Sequence, residues 1–332
     1  MRAIRLAGAE VTEESVVGRV LTHDLGHRLR KGLVIRPEHV ERLRAAPEVH
    51  VVELAPDDVH EDASAIRLGQ AISGPGTAVG EPEQSQVRLT ATCRGLTRVD
   101  RDAVDRLNRL PAVGVFTVVD GQAVDDGDEV AGAKVTPVAV PESLLREAEA
   151  LARERPVVRV EAFRPLRTRV LVTERLKPKA RELFATAVTR KLGWYGANLL
   201  DVRHIERQGQ SVRDGYLASQ DDAVDLLLFA GASSIDPLDA AYSELRAVGG
   251  EVLRQGVPAH PGSMLWLGRI GDTTVLGVAS CAGFGRDTVL DLLLPFIFAY
   301  GEARDDDFQR LGYGGLIEEG AGRRFPPYTR GE

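Results

Sequence analysis

The chain has 332 residues and a formal net charge of −7, from 49 acidic against 42 basic side chains, a balance that does not suit coating nucleic acid or an anionic membrane. Hydrophobic residues at 43% and charged residues at 27% exclude a disordered or collagen-like chain, and the length predicts more than one domain, each able to bury its own core. Cys93 and Cys281, the two cysteines, lie far apart and give neither a disulfide framework nor a paired metal site, so a reducing cytoplasm is the expected compartment.

The first segment lacks the basic-then-apolar layout of a signal peptide. It carries a turn at Lys31-Gly32, a strand, and a helix started by Pro37. "HVVELA" reads as a strand, and "PDDVHEDASAIRLGQAISG" as a helix that stops at the breakers of "SGPG". The polar stretch at 77–85 is the expected boundary of an N-terminal α+β domain over 1–80. From 86 to 160 the strand-like "QVRLTATCRG", the turn dipeptides Asp120-Gly121 and Asp126-Gly127, and the run to "TPVAV" predict a β-rich domain with a helix over 141–156 leading out of it.

Beyond residue 160, apolar strands alternate with helical patterns, which predicts a C-terminal α/β domain over 165–318. Its expected architecture is three-layer, a mainly parallel sheet with helices on both faces. Ligands of such open sheets bind beyond the carboxyl ends of the strands. The apolar stretch "TVLDLLLPFIFAY" is too short to span a bilayer and reads as a buried helix, and 319–332 reads as a loose tail.

One strand end stands out. After "DLLLF" the chain runs through Ala230, Gly231, Ala232, Ser233 and Ser234 into a helix with Asp236 and Asp239 close to its start. Small side chains there admit a ligand to the backbone, and free N–H groups at a helix start favour an anion such as phosphate. Equally, Ser234 or Asp236 caps the helix with Pro237 in its first turn and nothing more.

The segment "DLLLFAGASSIDPLDAAYSELRAVGGEVLRQGVPAHPGSMLWLGRI" resembles the molybdopterin-binding domain of molybdopterin adenylyltransferases and molybdopterin molybdenumtransferases. That family has a Thr-Gly-Gly-Thr/Ser-Gly turn after a strand, then an aspartate. Gly231 and Ser233 match the turn and Asp239 matches the aspartate. Asp214 in "VRDGYLASQ" falls on a second acidic position, Pro261-Gly262 in "HPGSM" on a Pro-Gly segment, and "LGVASCAGFGRD" on a second small-residue loop. The likeness covers roughly 168–300, and "VVGRVLTHDLGHRLRKGLVI" with "VAGAKVTPVAVP" is similar to a subgroup linked to nucleotidyltransferases of cofactor maturation. Ala230, Ala232 and Ser234 depart from the family turn, and the second loop lacks its Pro-Gly-Asn-Pro sequence.

The resemblance implies a protein of molybdenum-cofactor biosynthesis that binds molybdopterin or adenylylated molybdopterin. In it Asp239 and Asp214 are the expected Mg²⁺ ligands and catalytic acids, for adenylate cleavage with molybdate insertion. The expected pterin-binding residues are Gly231, Ala232, Ser233, Ser234, Asp236, Pro261, Gly262, Ser280, Cys281, Gly283 and Arg286. Ordinary roles stand beside these: first-turn helix acids for the aspartates, a surface ion pair for Arg286, a small buried residue for Cys281. A pterin carrier that serves a nucleotidyltransferase or a molybdoenzyme is the alternative to a transferase. A homodimer or higher oligomer is expected, with no nucleic-acid or membrane partner. His23 and His27 have helical metal-pair spacing but no third ligand, and the basic runs around 28–31 and 175–181 read as solvated faces.

Overall fold

The computed structural model describes residues 1–83, 85–231, 236–278 and 287–317, and the chain divides into two compact units, Met1–Glu161 and Ala162–Glu332. In the first unit, strands Arg2–Ala7 and Val20–Leu21 flank Glu48–Glu53 in an antiparallel sheet. Its core is Val16, Leu21, Leu29, Ile35, Leu43, Val49 and Val51. A second antiparallel sheet runs in the order Thr77–Val79, Gln86–Ala91, Glu129–Val135, Val113–Thr117.

Helix Glu61–Ile72 precedes the polar stretch at 77–85, yet its buried face of Ala65, Leu68 and Ile72 shares one core with Val87, Leu89 and Ala133 of the strands that follow. Helix Glu142–Arg153 closes the same core with Leu145, Ala148 and Ala152. Arg67 ties the two helices together, donating to Glu142 at 2.6 Å and to Glu149 at 2.8 Å.

In the second unit the elements are β1 (Arg167–Val172), α1 (Pro178–Trp194), β2 (Asn198–His204), α2 (Gly209–Asp221), β3 (Leu226–Ala230), α3 (Ala240–Ala247), β4 (Glu251–Gln255), β5 (Trp266–Ile270), β6 (Thr273–Val278), α4 (Val289–Tyr300) and α5 (Asp305–Arg310). They build a six-stranded sheet in the order β2-β1-β3-β6-β5-β4. The four strands β2, β1, β3 and β6 are parallel, and β5 and β4 continue antiparallel.

Alternation along the strands decides which helix covers which face. Leu171 and Phe229 are register partners and pack with Val212 and Tyr216 of α2 and with Tyr242 and Leu245 of α3. Val170, Leu228 and Leu276 point the opposite way in register. The remaining helices, α1 and α4, cover that face, joined by a Lys191–Asp291 ion pair and by Tyr195 stacked on Phe298 at 5.1 Å. The sheet therefore has helices on both faces, as its alternating pattern predicts. The stretch read as a buried helix is α4, opened by a capping box in which Thr288 accepts from Leu290 and Asp291 accepts from the Thr288 N–H. Among the described residues no helix is long and apolar enough to cross a membrane.

Two side chains fix this sheet locally. Arg169, 1% exposed, donates to Asp201 on β2 at 3.0 Å and to Asp222 and the Ala218 carbonyl at the end of α2 at 2.5 and 2.9 Å. It clamps edge strand β2 to the centre of the sheet with charge-assisted bonds. Trp266 on β5 faces Gly277 on β6, and a Cβ at Gly277 would lie 1.7 Å from the indole nitrogen. Glycine sits in that buried strand because an indole ring occupies the space.

Gly277→Ala is expected to cost about 3 kcal/mol by overpacking, read as a lower urea midpoint at unchanged slope. In the first unit, Arg67 and Arg146 hold the Glu142 carboxyl down from its ordinary 4.5 to about 2. A depressed carboxyl stabilises fully above its unfolded value and loses that contribution as the pH falls through the folded one. Glu142→Gln should therefore lower stability at neutral pH and flatten its fall between pH 4.5 and about 2, as followed by thermal melts across that range.

Candidate functional site

A cleft of about 1180 Å³ opens at the carboxyl ends of β1, β2 and β3. Each strand contributes the residues that directly follow it. Thr173, Glu174 and Arg175 come after β1, and His204 to Gln208 end β2 and lead into α2. Asp236 and Leu238 to Ala240 follow β3, with Arg181 reaching in from α1.

Gly231 closes β3 with a φ of +100°, in the region that favours glycine, and an added Cβ would meet the Thr173 hydroxyl at 2.8 Å and the Glu174 Cγ at 2.9 Å. Its small size is required by the neighbouring chain after β1. The next turn starts at Asp236, whose carboxylate accepts from the Leu238 N–H at 3.0 Å while its carbonyl accepts from the Asp239 N–H at 3.1 Å. That turn delays the helix, which begins at Ala240 and not at the expected Asp236-Pro237.

Asp239 is the cap of α3. It is 5% exposed, one carboxylate oxygen accepts from the Ala241 N–H at 2.9 Å, and the other is ion-paired to Arg207 from the loop after β2. Behind it, Tyr216 donates to the Ala241 carbonyl at 2.8 Å and anchors α3 on α2. Both oxygens of Asp239 are thus engaged by protein groups.

Asp214 stands elsewhere. It is exposed on α2 and accepts from Gln210 at 2.7 Å, six residues and about 9 Å along the helix from Gln208 at the cleft rim. Asp239 lines the cleft and Asp214 does not, and among the described residues no group of three or more His, Cys, Asp or Glu is placed to hold a metal. A hard cation such as Mg²⁺ needs several oxygen ligands, and the described residues do not fit one here.

Pro261 and Gly262 pack against the start of α4, where the Val289 N–H donates to the Pro261 carbonyl at 2.9 Å, and they do not line the cleft. A Cβ on Gly262, whose φ is +108°, would lie 3.2 Å from that same nitrogen. Ala232, Ser233, Ser234, Ser280, Cys281, Gly283 and Arg286 lie outside the described residues. Of the expected site residues, the cleft contains Asp236 and Asp239, with Gly231 at the end of β3 beside Thr173.

The cleft also holds residues that the sequence pattern did not single out. Arg175 and Arg181 have no acid partner among the described residues; the Arg181 Nε donates to the Leu176 carbonyl at 3.1 Å. His204 ends β2 with a buried Nδ1 that has no hydrogen-bond partner among the described residues. Burial, and then the positive charge of Arg181, hold its imidazole below the ordinary histidine value. The signal that finds Arg175 and His204 is position, since one follows "RTRVLV" and the other ends "NLLDVRH" at a parallel-strand terminus, whereas Arg181 is brought in by α1.

No family model matches the chain, and no curated protein matches it either. Among solved structures, the molybdopterin biosynthesis enzyme MoaB from Thermus thermophilus is 18% identical, with 40% of this chain and 91% of that chain covered and a TM-score of 0.28. The molybdopterin biosynthesis Mog protein from Mycobacterium ulcerans is 15% identical over 40% of this chain and 94% of its own, at a TM-score of 0.29. The molybdopterin biosynthesis MoeA protein from Pyrococcus horikoshii is 13% identical, with 90% of this chain and 75% of that one covered, also at 0.29.

Asp239→Ala, which removes the cap and strands Arg207, is expected to cost about 1–2 kcal/mol. Asp239→Asn keeps an acceptor for the Ala241 N–H and should retain most of that stability, whereas Asp214→Asn should change nothing measurable. Chemical denaturation of the three variants checks the order.

Proposed function

We propose that the second unit binds molybdopterin or adenylylated molybdopterin in the cleft beyond β1, β2 and β3, and serves molybdenum-cofactor biosynthesis as a binding and delivery protein. The observation that carries this reading is the pair of guanidiniums, Arg175 and Arg181, that face a crevice at the carboxyl ends of parallel strands without acid partners among the described residues. Forked donors of this kind suit phosphate oxygens. The ordered sequence likeness over 168–300 supplies the pterin.

The charge pattern supports a ligand of two characters. Glu174, Glu206 and Asp236 share the cleft with the arginines. A pterin carries an anionic phosphate at one end and an N–H/NH₂ donor edge at the other, so arginines and carboxylates in one crevice complement both ends. In this account the residues bind and orient, and no bond is broken.

The same geometry favours delivery over the molybdenumtransferase reaction. Asp239 is spent on Arg207 and on the α3 cap, and Asp214 is outside the cleft. The receiving partner is a nucleotidyltransferase or a molybdoenzyme, as the sequence likeness implies.

Purified protein incubated with molybdopterin should retain the pterin through gel filtration, detected by fluorescence of its oxidised form. Arg181→Gln should weaken retention roughly 10- to 100-fold, the worth of a hydrogen bond to a charged group. With adenylylated molybdopterin, Mg²⁺ and molybdate, AMP should stay bound as adenylate. Catalytic release of AMP would replace the delivery role by a transferase, and absence of pterin retention would overturn the reading altogether.

A further inference from the structure

We propose that His204, Arg181 and Arg175 form an oxyanion subsite for a phosphate monoester on the β2 side of the cleft. The inference rests on the pterin-binding reading and names where the phosphate of that ligand sits. Three observations carry it. His204 occupies the last position of β2 and lines the cleft. Its Nδ1 is buried and has no hydrogen-bond partner among the described residues, so the ring meets the cleft through its remaining surface. The nearby Arg181 and Arg175 are cations that no described acid neutralises.

A phosphate in the cleft would meet the His204 ring and both guanidiniums at once. A dianionic phosphate offers several acceptor oxygens, enough for two guanidiniums and an imidazole. In the free protein burial, and then the charge of Arg181, hold the His204 imidazole below its ordinary value. A bound phosphate reverses that sign: a proton is taken up from solvent onto the imidazole, and the imidazolium N–H donates to a phosphate oxygen. The charged groups around His204 are Arg181 on α1, Glu174 and Arg175 after β1, Glu206 and Arg207 in its own loop, and Asp236 and Asp239 across the cleft. The four acids favour the imidazolium and the three arginines oppose it, and of these charges Arg181 is the one that acts on the His204 imidazole.

The test is an NMR titration of the histidine C2–H signals of the full chain, with and without inorganic phosphate, the His204 signal being identified by its loss in His204→Gln. Phosphate should raise the His204 midpoint by roughly one to two pH units, the usual effect of an adjacent opposite charge. Chloride at equal ionic strength should not. Arg181→Gln should shift the phosphate-free midpoint upward, because a repelling charge is gone, and at the same time weaken the phosphate response roughly tenfold or more. A merely structural arginine would not move these two quantities in opposite senses.

A His204 midpoint that ignores phosphate, or a response untouched by Arg181→Gln, would overturn the subsite. If pterin is retained while His204 stays silent, the subsite fails and the binding reading stands. A His204 that responds when pterin is not retained keeps the subsite and sinks the pterin.

Discussion

The site depends on how the chain leaves and returns to β1. From that strand it passes through α1 to β2 on one side, then through α2 to β3 on the other, so the two crossovers diverge at the carboxyl end of β1. Right-handed crossovers put α1 and α2 on opposite faces of the sheet. Between them the strand ends are left uncovered, and a crevice forms there as a matter of topology. Arg169 protects this geometry from below by clamping Asp201 and Asp222 to the central strand.

The crevice is then furnished by local constraints. Gly231 is needed so that β3 can end against Thr173 and Glu174. The turn at Asp236 sets back the start of α3, and Asp239 both caps that helix and holds Arg207. An aspartate whose oxygens are taken by an N–H and a guanidinium is a positioning group. What the other strand ends present to the cleft includes Arg175 and Arg181, which have no acid partner among the described residues.

Much of the second unit was legible in its sequence. Strands of β-branched and leucine residues alternating with amphipathic stretches gave the parallel sheet, and a thirteen-residue apolar stretch with Pro295 and Asp291 gave the buried helix α4. Among the described residues that the motif named, Asp236 and Asp239 line the cleft. The basic run around 175–181 reads as a solvated face and His204 carries no pattern, because their significance comes from tertiary position: α1 brings Arg181 into the cleft that His204 lines. Likewise Asp214 matches a motif in one dimension, while in three it is exposed on α2 and is not among the residues that line the cleft. In the first unit, helix Glu61–Ile72 shows the same effect, since a polar linker follows it yet its apolar face finds its core beyond that linker.

The central claim is that a phosphorylated pterin occupies the crevice beyond β1 and β2. A crystal structure of the chain grown with molybdopterin tests it most directly. The account predicts density in the cleft, with phosphate oxygens within hydrogen-bonding distance of Arg181 and His204 and the heterocycle on the carboxylate side. Pterin density lodged at Pro261-Gly262 or beside Asp214, with the cleft free of ligand, would contradict it.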